Sequence, residues 1–189
     1  AEIFSDFSEI EFLMGHKTIY DETDRCFINT SLKNWSKFDF FIYHNHWGIQ
    51  QESVFWKRSL WERAGACIDT KYKLAGDCEL WTRFIVSAGA KLYMTNALLG
   101  GFRIRENQLS AKETGITYEE EVKQIYSAVK KTEQEIEIVK AIQFYKKFLI
   151  RIPVLRFIFP WNKKYEKFFN YPPFIKFDFK QKKFVKSKH

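Results

Sequence analysis

Two carboxylates stand where a loop ending in Gly76 gives way to an apolar helical pattern, in the sequence Leu74-Ala-Gly-Asp77-Cys-Glu79. A helix that begins at Asp77 places this carboxylate at the top of one apolar face, which is formed by Leu80, Trp81, Phe84, Ile85 and Ala88. An ionised carboxylate at the edge of a pocket can take a proton. Asp77 is therefore our candidate catalytic residue.

Asp77 also has a simpler interpretation as a helix N-cap. Asp ahead of an apolar helical run is a common start signal, because its side chain accepts hydrogen bonds from the first backbone N–H groups. These N–H groups and the helix dipole favour the ionised carboxylate, so capping and proton transfer do not exclude each other. Glu79 lies four residues before Arg83 and off the apolar face, which predicts an exposed, structural ion pair.

The chain has 189 residues, enough for one domain with a sizeable core or for one domain and a tail. Its net charge of +8 is unevenly distributed. Residues 140–189 contain 14 Lys and Arg against 2 acids, whereas residues 1–139 contain 17 against 21. The sequence thus predicts a mildly acidic body and a strongly basic tail.

Three cysteines, Cys26, Cys67 and Cys78, lack the spacing of zinc or redox sites, so we expect free, buried thiols in a reducing compartment. No run of 18 apolar residues occurs, and residues 1–6 lack the pattern of a signal peptide. We expect neither a membrane span nor a secretion signal. Because the chain opens without Met and inside a helical pattern, we also expect it to be the C-terminal part of a longer protein.

The pattern of apolar residues predicts an alternation of strands and helices. Residues 10–15 read as a short strand that turns at Gly15, and residues 26–29 read as its returning partner. A short helix is expected within residues 35–43. Residues 49–58 have strand character, and Ser59 to Glu62 matches a capping box that opens a one-turn helix closed by Gly65.

The second half of the chain continues this pattern. Residues 91–95 and 98–105 read as two strands, the latter with Gly100 and Gly101, which leave room for a ligand or backbone to approach closely. Thr117 to Glu120 is a further capping box. It predicts one long helix that ends before Pro153 and lies as an appendage on the core.

Two histidines, His44 and His46, have a spacing that can chelate a metal from a strand. Without a third ligand nearby, we interpret both as loop residues. In residues 144–169, apolar and aromatic side chains alternate with cations. This composition suits an anionic membrane surface, single-stranded nucleic acid or packing on the body, and the sequence of this stretch does not choose among them.

Three motifs occur together in one order, and they carry a resemblance. The first runs from Gln50-Gln51 through Trp56 to Gly65, the second is the Asp77 segment, and the third is Gly101-Phe102-Arg103-Ile-Arg105 with Gln108 and Ser110 after it. This series resembles the C-terminal, acceptor-side half of family 2 glycosyltransferases, especially those of bacterial surface polysaccharide synthesis. The resemblance covers residues 1–112.

The resemblance implies an α/β protein with a partial GT-A (nucleotide-diphospho-sugar transferase) fold that lacks its N-terminal nucleotide-binding half. It divides the chain into the GT-A part (1–112), a C-terminal long helix (113–152) and a basic aromatic tail (153–189). By the same resemblance, Asp77 is the general base of an inverting transfer. The implied substrate-binding residues are Gln50, Gln51, Trp56, Arg103 and, in place of the usual histidine, Arg105.

The implied reaction transfers a sugar from a nucleotide-sugar donor to a glycan or lipid-linked acceptor. Family members hold Mg²⁺ or Mn²⁺ with an Asp-x-Asp motif that residues 1–189 do not contain. We therefore expect the metal to be held outside this chain, and this chain to be inactive alone. We also expect a cytoplasmic location at the inner face of the membrane, with residues 144–169 on anionic lipid. The alternative is a non-enzymatic module whose basic aromatic tail binds nucleic acid or an acidic polymer.

Overall fold

The computed structural model describes residues 1–29, 32, 34–44, 49–106, 117–144, 147 and 168–187. Within these ranges the protein is a mixed α/β structure. Within these residues, no helix has the length and apolar character of a membrane span. Most of the predicted membrane segment, residues 144–169, lies outside the described residues, and so does His46.

One mixed sheet contains the six strands of the described ranges: β1 (Phe12–Tyr20), β2 (Cys26–Asn29), β3 (Val54–Trp56), β4 (Leu92–Arg103), β5 (Phe174–Asp178) and β6 (Lys183–Ser187). The strand order is β2-β1-β4-β5-β6, and β3 pairs with the first residues of β1. β1, β4 and β5 are mutually parallel along this order, and the other pairings are antiparallel. We call the end at which these three strands finish the carboxyl end of the sheet.

The helices of the described ranges are α1 (Glu2–Asp6), α2 (Lys37–Tyr43), α3 (Arg58–Arg63), α4 (Gly76–Thr82), α5 (Tyr118–Ala128) and α6 (Glu133–Phe144). A 3₁₀ turn (Gln51–Ser53) precedes β3, and a π-helical turn (Arg83–Ser87) continues α4. Side chains alternate between the two faces of a strand, and here both faces are covered. The larger core includes Phe12, Met14, Leu92 and Met94, and the smaller one includes Ile3, Leu13, Tyr93 and Ile175.

Two expectations about the strands are wrong. β1 runs through Gly15 to Tyr20 instead of turning there, and residues 92–103 form one strand instead of two. A Cβ at position 15 would lie 2.6 Å from the Ala97 carbonyl oxygen and 2.4 Å from Leu99 Cγ. Because Gly15 has no side chain, β1 can lie close to an irregular part of β4, where the register shifts.

Two expectations about the helices are also wrong. α3 begins at Arg58 with Lys57 at its N-cap and no side-chain cap, so Ser59 does not form the predicted capping box. The predicted long helix is interrupted after Ala128, and α5 is not an appendage, because Val122 and Ile125 are buried in the larger core. Helix α6 also contributes to this core.

Other elements confirm the sequence analysis: β2 is the predicted return strand, α2 lies within residues 35–43, and Thr117 and Glu120 form a capping box. The division at residues 112 and 152 stays a prediction. Residues 174–187 of the predicted tail are β5, β6 and their turn, joined to β4 through the pairing of Thr95 with Ile175. Residues 174–187 of the predicted tail thus belong to the sheet or to its connecting turn.

Candidate active site

Helix α4 holds Asp77 at the start of an apolar face that packs on the sheet. Leu80, Trp81, Phe84 and Ile85 of this face are buried, as the spacing predicts. The Phe12 ring on β1 lies 5.3 Å from the Trp81 ring and 5.4 Å from the Phe84 ring, measured between centroids. These contacts fix the helix on the sheet and so set the position of its first turn.

Asp77 is not the N-cap of α4. The helix begins one residue earlier, at Gly76, and its N-cap residue is Ala75, which makes no side-chain cap. Asp77 is half-buried, and its Oδ1 accepts a hydrogen bond from the backbone N–H of Cys78 at 2.7 Å. The N-cap interpretation is therefore wrong, and Asp77 is a carboxylate within the first helical turn.

Burial raises the pKa of Asp77, and the negative charge of Glu52 raises it further, against the lowering effect of the Cys78 N–H group. Desolvation disfavours the charged form of a carboxylate, which here outweighs the N–H groups expected to favour it. The sequence analysis expected the surroundings of Asp77 to favour its ionised form and so to lower its pKa. This expectation is wrong, because the pKa is raised. A carboxylate with a raised pKa is a stronger base than an ordinary aspartate.

The Glu52 charge acts on Asp77, and the 3₁₀ turn that carries Glu52 lies directly on β4. A Cβ at position 100 would be 2.1 Å from the Glu52 carbonyl oxygen, so only glycine permits this approach. The predicted close approach of backbone is thus confirmed for Gly100, whereas Gly101 faces the Tyr20 ring. The turn carries the Glu52 carboxylate toward Asp77.

Lys17 and Gln50 complete this group of side chains. Lys17 lies opposite Gly100 in the pairing of β1 with β4, and its ammonium group donates a hydrogen bond to Gln50 Oε1. Burial lowers the pKa of Lys17, and the charge of Glu52 opposes this shift. We call Lys17, Gln50, Glu52 and Asp77 the Asp77 cluster. It lies toward the carboxyl end of the sheet, where ligands bind in open α/β sheets.

The loop before α4 is held by Glu121, which the sequence analysis missed. Its carboxylate is buried and accepts hydrogen bonds from the backbone N–H groups of Lys73, Leu74 and Ala75 at 2.7–2.8 Å. Burial raises the pKa of Glu121, but the three N–H groups overcome this and leave it below its usual value. The sequence contained a signal for a buried Glu121, since helical spacing places it on the same face of α5 as Tyr118 and Ile125.

Behind Asp77, the Cys78 thiol lies against Thr82 and Tyr118. Cys78 is fully buried, and burial raises its pKa to about 12, so it is not a nucleophile at neutral pH. The pKa of Tyr118 is raised by burial and by the nearby Cys78 and Asp77 groups. Cys26 and Cys67 are free but exposed, so the expectation of three buried thiols is wrong for these two.

Glu79 and Arg83 form the expected ion pair, with Arg83 Nε 2.7 Å from Glu79 Oε1. The expectation that this pair is exposed is wrong, because the side chains of Glu79 and Arg83 are only 13% and 19% exposed. The Arg83 guanidinium also donates to the carbonyl oxygens of Ala64 at 2.5 Å and Cys67 at 2.7 Å. The pair therefore ties α4 to the loop after α3.

Of the predicted substrate-binding residues, Gln50 belongs to the Asp77 cluster. Gln51 is exposed and begins the 3₁₀ turn that contains Glu52. Trp56 is 36% exposed, and its ring lies 5.5 Å from the Trp81 ring. Trp81 is four residues after Asp77, or about 6 Å along the helix axis. The Trp56 ring therefore lies about one helical turn from Asp77, toward the start of β1, where Trp56 is opposite Phe12.

Arg103 and Arg105 lie in the opposite direction from Trp56, at the end of β4 and just after it. Arg103 donates to the Asp21 carbonyl oxygen at 3.1 Å and pairs with the Asp24 carboxylate. It is opposite Tyr20, which is three residues past Lys17 or roughly 10 Å along β1. The structure does not bring Arg103 to the Asp77 cluster, and Arg105 is exposed.

The described residues include no group of three or more His, Cys, Asp or Glu side chains that could hold a metal ion. That a Mg²⁺ or Mn²⁺ ion is held mainly by residues outside this chain stays a prediction. His44 ends α2 in a left-handed conformation, and its ring centroid lies 3.7 Å from that of Tyr126. This contact supports the structural interpretation of His44.

A cavity of about 140 Å³ lies at the opposite end of α4, lined by Trp35, Lys37, Ile85, Leu92, Phe169 and Pro172 among others. None of the Asp77 cluster lines it. We therefore place the candidate site on the carboxylates and their surroundings and not on this cavity.

Compared with known proteins, the chain matches no protein-family model, no curated protein and no solved structure.

Proposed function

We propose that this chain is the acceptor-side half of an inverting, nucleotide-sugar-dependent glycosyltransferase with a GT-A fold. The observation that carries the proposal is the position of Asp77, half-buried in the first turn of a helix packed over parallel strands and close to a second carboxylate, Glu52. The order of the three motifs around Gln50, Asp77 and Arg103 supports it independently. The mixed α/β sheet is compatible with this fold class.

In the proposed reaction, the oxygen of an acceptor hydroxyl attacks the anomeric carbon of the donor sugar. The bond from that carbon to the nucleotide diphosphate breaks, and the hydroxyl proton moves to the Asp77 carboxylate. Glu52 makes Asp77 more basic through its negative charge. Gln50 and Lys17 offer polar groups for acceptor hydroxyls at the same place, and Trp56 offers an aromatic surface for a sugar ring.

The decisive experiment is Asp77→Asn in the full-length enzyme, assayed for sugar transfer from labelled nucleotide sugars. We expect transfer to be lost while the fold is kept, because Asn cannot take the proton. Glu106→Gln, an exposed acid after β4, is the matched control. Turnover of Asp77→Asn at the rate of the control would exclude Asp77 as the base. The chain of residues 1–189 alone is expected to show no turnover.

We further propose that the protein is cytoplasmic and attached to the inner face of the membrane through residues 144–169. Cations next to large aromatic side chains favour an anionic headgroup region, and a lipid-linked acceptor would be presented there. Liposome flotation tests this: attachment should require anionic lipid and fall when Phe157, Phe159 and Trp161 are changed to Ser. Binding of oligonucleotides in place of liposomes would favour the non-enzymatic alternative.

A further inference from the structure

The turn between β5 and β6 exposes an aromatic side chain. Phe179 is 83% exposed, more than any other large hydrophobic side chain of the described ranges. The Asp178 carboxylate orders this turn by accepting hydrogen bonds from the backbone N–H groups of Lys180 at 2.8 Å and Gln181 at 3.1 Å. The Phe179 ring also packs edge-on against Phe177, with centroids 5.2 Å apart. The exposed ring is thus presented by an ordered hairpin.

Several lysines are close to this ring in the sequence. Lys180, Lys182 and Lys183 follow it and are exposed. Residues 174–187 contain five lysines and one aspartate, and the carboxylate of that aspartate, Asp178, is engaged in the turn. Lys186, farther along β6, pairs with Glu9 at 2.5 Å. The tip of the hairpin therefore combines one exposed aromatic side chain with an excess of positive charge.

The tip also lies at the carboxyl end of the sheet. β5 runs parallel to β4, so its last residue and the following Phe179 are at the same end as the Asp77 cluster. Lys180 and Lys182 follow Phe179 in the turn, and Lys183 begins β6. One exposed aromatic side chain and three cations therefore share this end of the sheet.

We propose that the β5–β6 turn is a membrane contact, in which Phe179 enters the headgroup region of an anionic bilayer while Lys180, Lys182 and Lys183 bind the lipid charges. Aromatic side chains partition into this region, and nearby lysines add electrostatic attraction to anionic lipid. The contact is separate from residues 144–169 and does not depend on sugar transfer. It would orient the carboxyl end of the sheet toward the membrane.

Single-stranded nucleic acid fits this surface less well. Binding without base readout uses several ring faces along a groove, on which successive bases stack. Here Phe177 and Phe184 are part-buried and pack edge-on against each other, with centroids 5.2 Å apart and an interplanar angle of 73°. Among the aromatic rings of residues 174–187, only that of Phe179 is exposed, which suits insertion at one point.

Vesicle co-sedimentation of the full chain tests the proposal, with phosphatidylcholine vesicles that contain or lack phosphatidylserine. Phe179→Ser should weaken binding to the anionic vesicles at least about tenfold, as expected for the loss of a buried aromatic group. Its matched control is Ile68→Ser, which removes an apolar side chain that is 53% exposed on another loop. Changing Lys180, Lys182 and Lys183 together to Gln should weaken binding by about 100-fold, or roughly fivefold per lysine.

The control for the charge change is the triple change of Lys91, Lys123 and Lys130 to Gln, which lowers the net charge equally at exposed positions. The proposal predicts a clear difference between the two triple variants. Equal vesicle binding by Phe179→Ser and Ile68→Ser would overturn it. Loss of binding to a single-stranded oligonucleotide in the tip variants, with vesicle binding unchanged, would also overturn it and assign the tip to nucleic acid.

Discussion

The Glu121 carboxylate on α5 accepts a hydrogen bond from the backbone N–H of Ala75 at 2.7 Å, at the N-cap position of α4. With Lys73 and Leu74, three successive N–H groups converge on one buried carboxylate. The first turn of α4, and therefore Asp77, is positioned by a residue 44 places later in the sequence. The proposed base thus depends on contact between two helices.

Glu121→Gln should destabilise the protein by about 2–4 kcal/mol, because an amide cannot accept all three hydrogen bonds and presents an NH₂ group to N–H donors. Urea unfolding at neutral pH measures this. Glu119→Gln, an exposed neighbour in the same helical turn, is the control and should change the unfolding free energy little. Equal effects of the two changes would contradict a special role for Glu121.

The pH dependence of stability provides a second test of Glu121. Its folded-state pKa is lowered, so the folded state binds the proton more weakly than the unfolded state. Its contribution to stability is complete above the unfolded pKa of about 4.3 and is lost as the pH falls through the folded pKa. The stability difference between wild type and Glu121→Gln should shrink over this acidic window.

Asp77→Asn should stabilise the isolated chain at neutral pH, in contrast to Glu121→Gln. The folded-state pKa of Asp77 is raised, so its contribution to stability is present at low pH and lost as the pH rises through that pKa. Asn removes the desolvated charge and keeps an oxygen to accept the Cys78 N–H group. In urea unfolding, Asp77→Asn should have a larger free energy of unfolding than wild type at pH 7. The difference should disappear at acidic pH, where the wild-type Asp77 is protonated. A loss of stability at pH 7 would contradict the raised pKa.

Glu52→Gln should lower the pKa of Asp77, because the negative charge of Glu52 is one cause of the raised value. Carboxyl-carbon NMR titration of the chain measures this directly and needs no substrate. Glu62→Gln, an exposed acid on α3, is the control and should leave the titration of Asp77 unchanged. An unaltered Asp77 titration in Glu52→Gln would show that the Glu52 charge does not act on Asp77, and it would remove Glu52 from the cluster.

The sequence predicted the buried face of α4, the ion pair of Glu79 with Arg83 and the capping box at Thr117, all of which depend on residues close in the chain. It was wrong about the N-cap of α4, because the loop N–H groups that set the helix start are bound by Glu121. It was also wrong about Gly15, where β1 continues instead of turning. The lack of a side chain at Gly15 leaves room for Ala97 and Leu99 on another strand. Such long-range contacts leave no periodic pattern in the local sequence.

The candidate site was predicted in part for the same reason. Asp77 was found from its place before an apolar face, and Gln50 from its motif in the resemblance. Glu52 and Lys17 join them only through the pairing of β1 with β4 and the 3₁₀ turn that lies on Gly100. The sequence analysis also grouped Arg103 with them, but its contacts with Asp21 and Asp24 hold it at the turn after β1.

The partly buried pair of Glu79 and Arg83 should matter more than a surface ion pair. Glu79→Gln should cost about 1–2 kcal/mol, because it leaves a guanidinium with little access to water without its charged partner. The control is Glu62→Gln, whose pair with Arg58 has the same four-residue spacing but side chains 56% and 89% exposed, and which should have almost no effect. Equal unfolding midpoints of the two variants would contradict the structural role of the pair.

Gly100→Ala should disrupt the approach of the 3₁₀ turn to β4, because the new Cβ would lie 2.1 Å from the Glu52 carbonyl oxygen and 3.0 Å from the Ser53 nitrogen. Backbone atoms cannot move aside as side chains do, so we expect a loss of at least about 1–3 kcal/mol. Gly101→Ala is the matched comparison, since its Cβ would meet the Tyr20 ring at 2.7 Å and this ring can shift. If Gly100→Ala folds, the displaced Glu52 should also leave Asp77 with a lower pKa, measurable by the same NMR titration. A smaller loss of unfolding free energy for Gly100→Ala than for Gly101→Ala would show that the turn is not held against β4 as described.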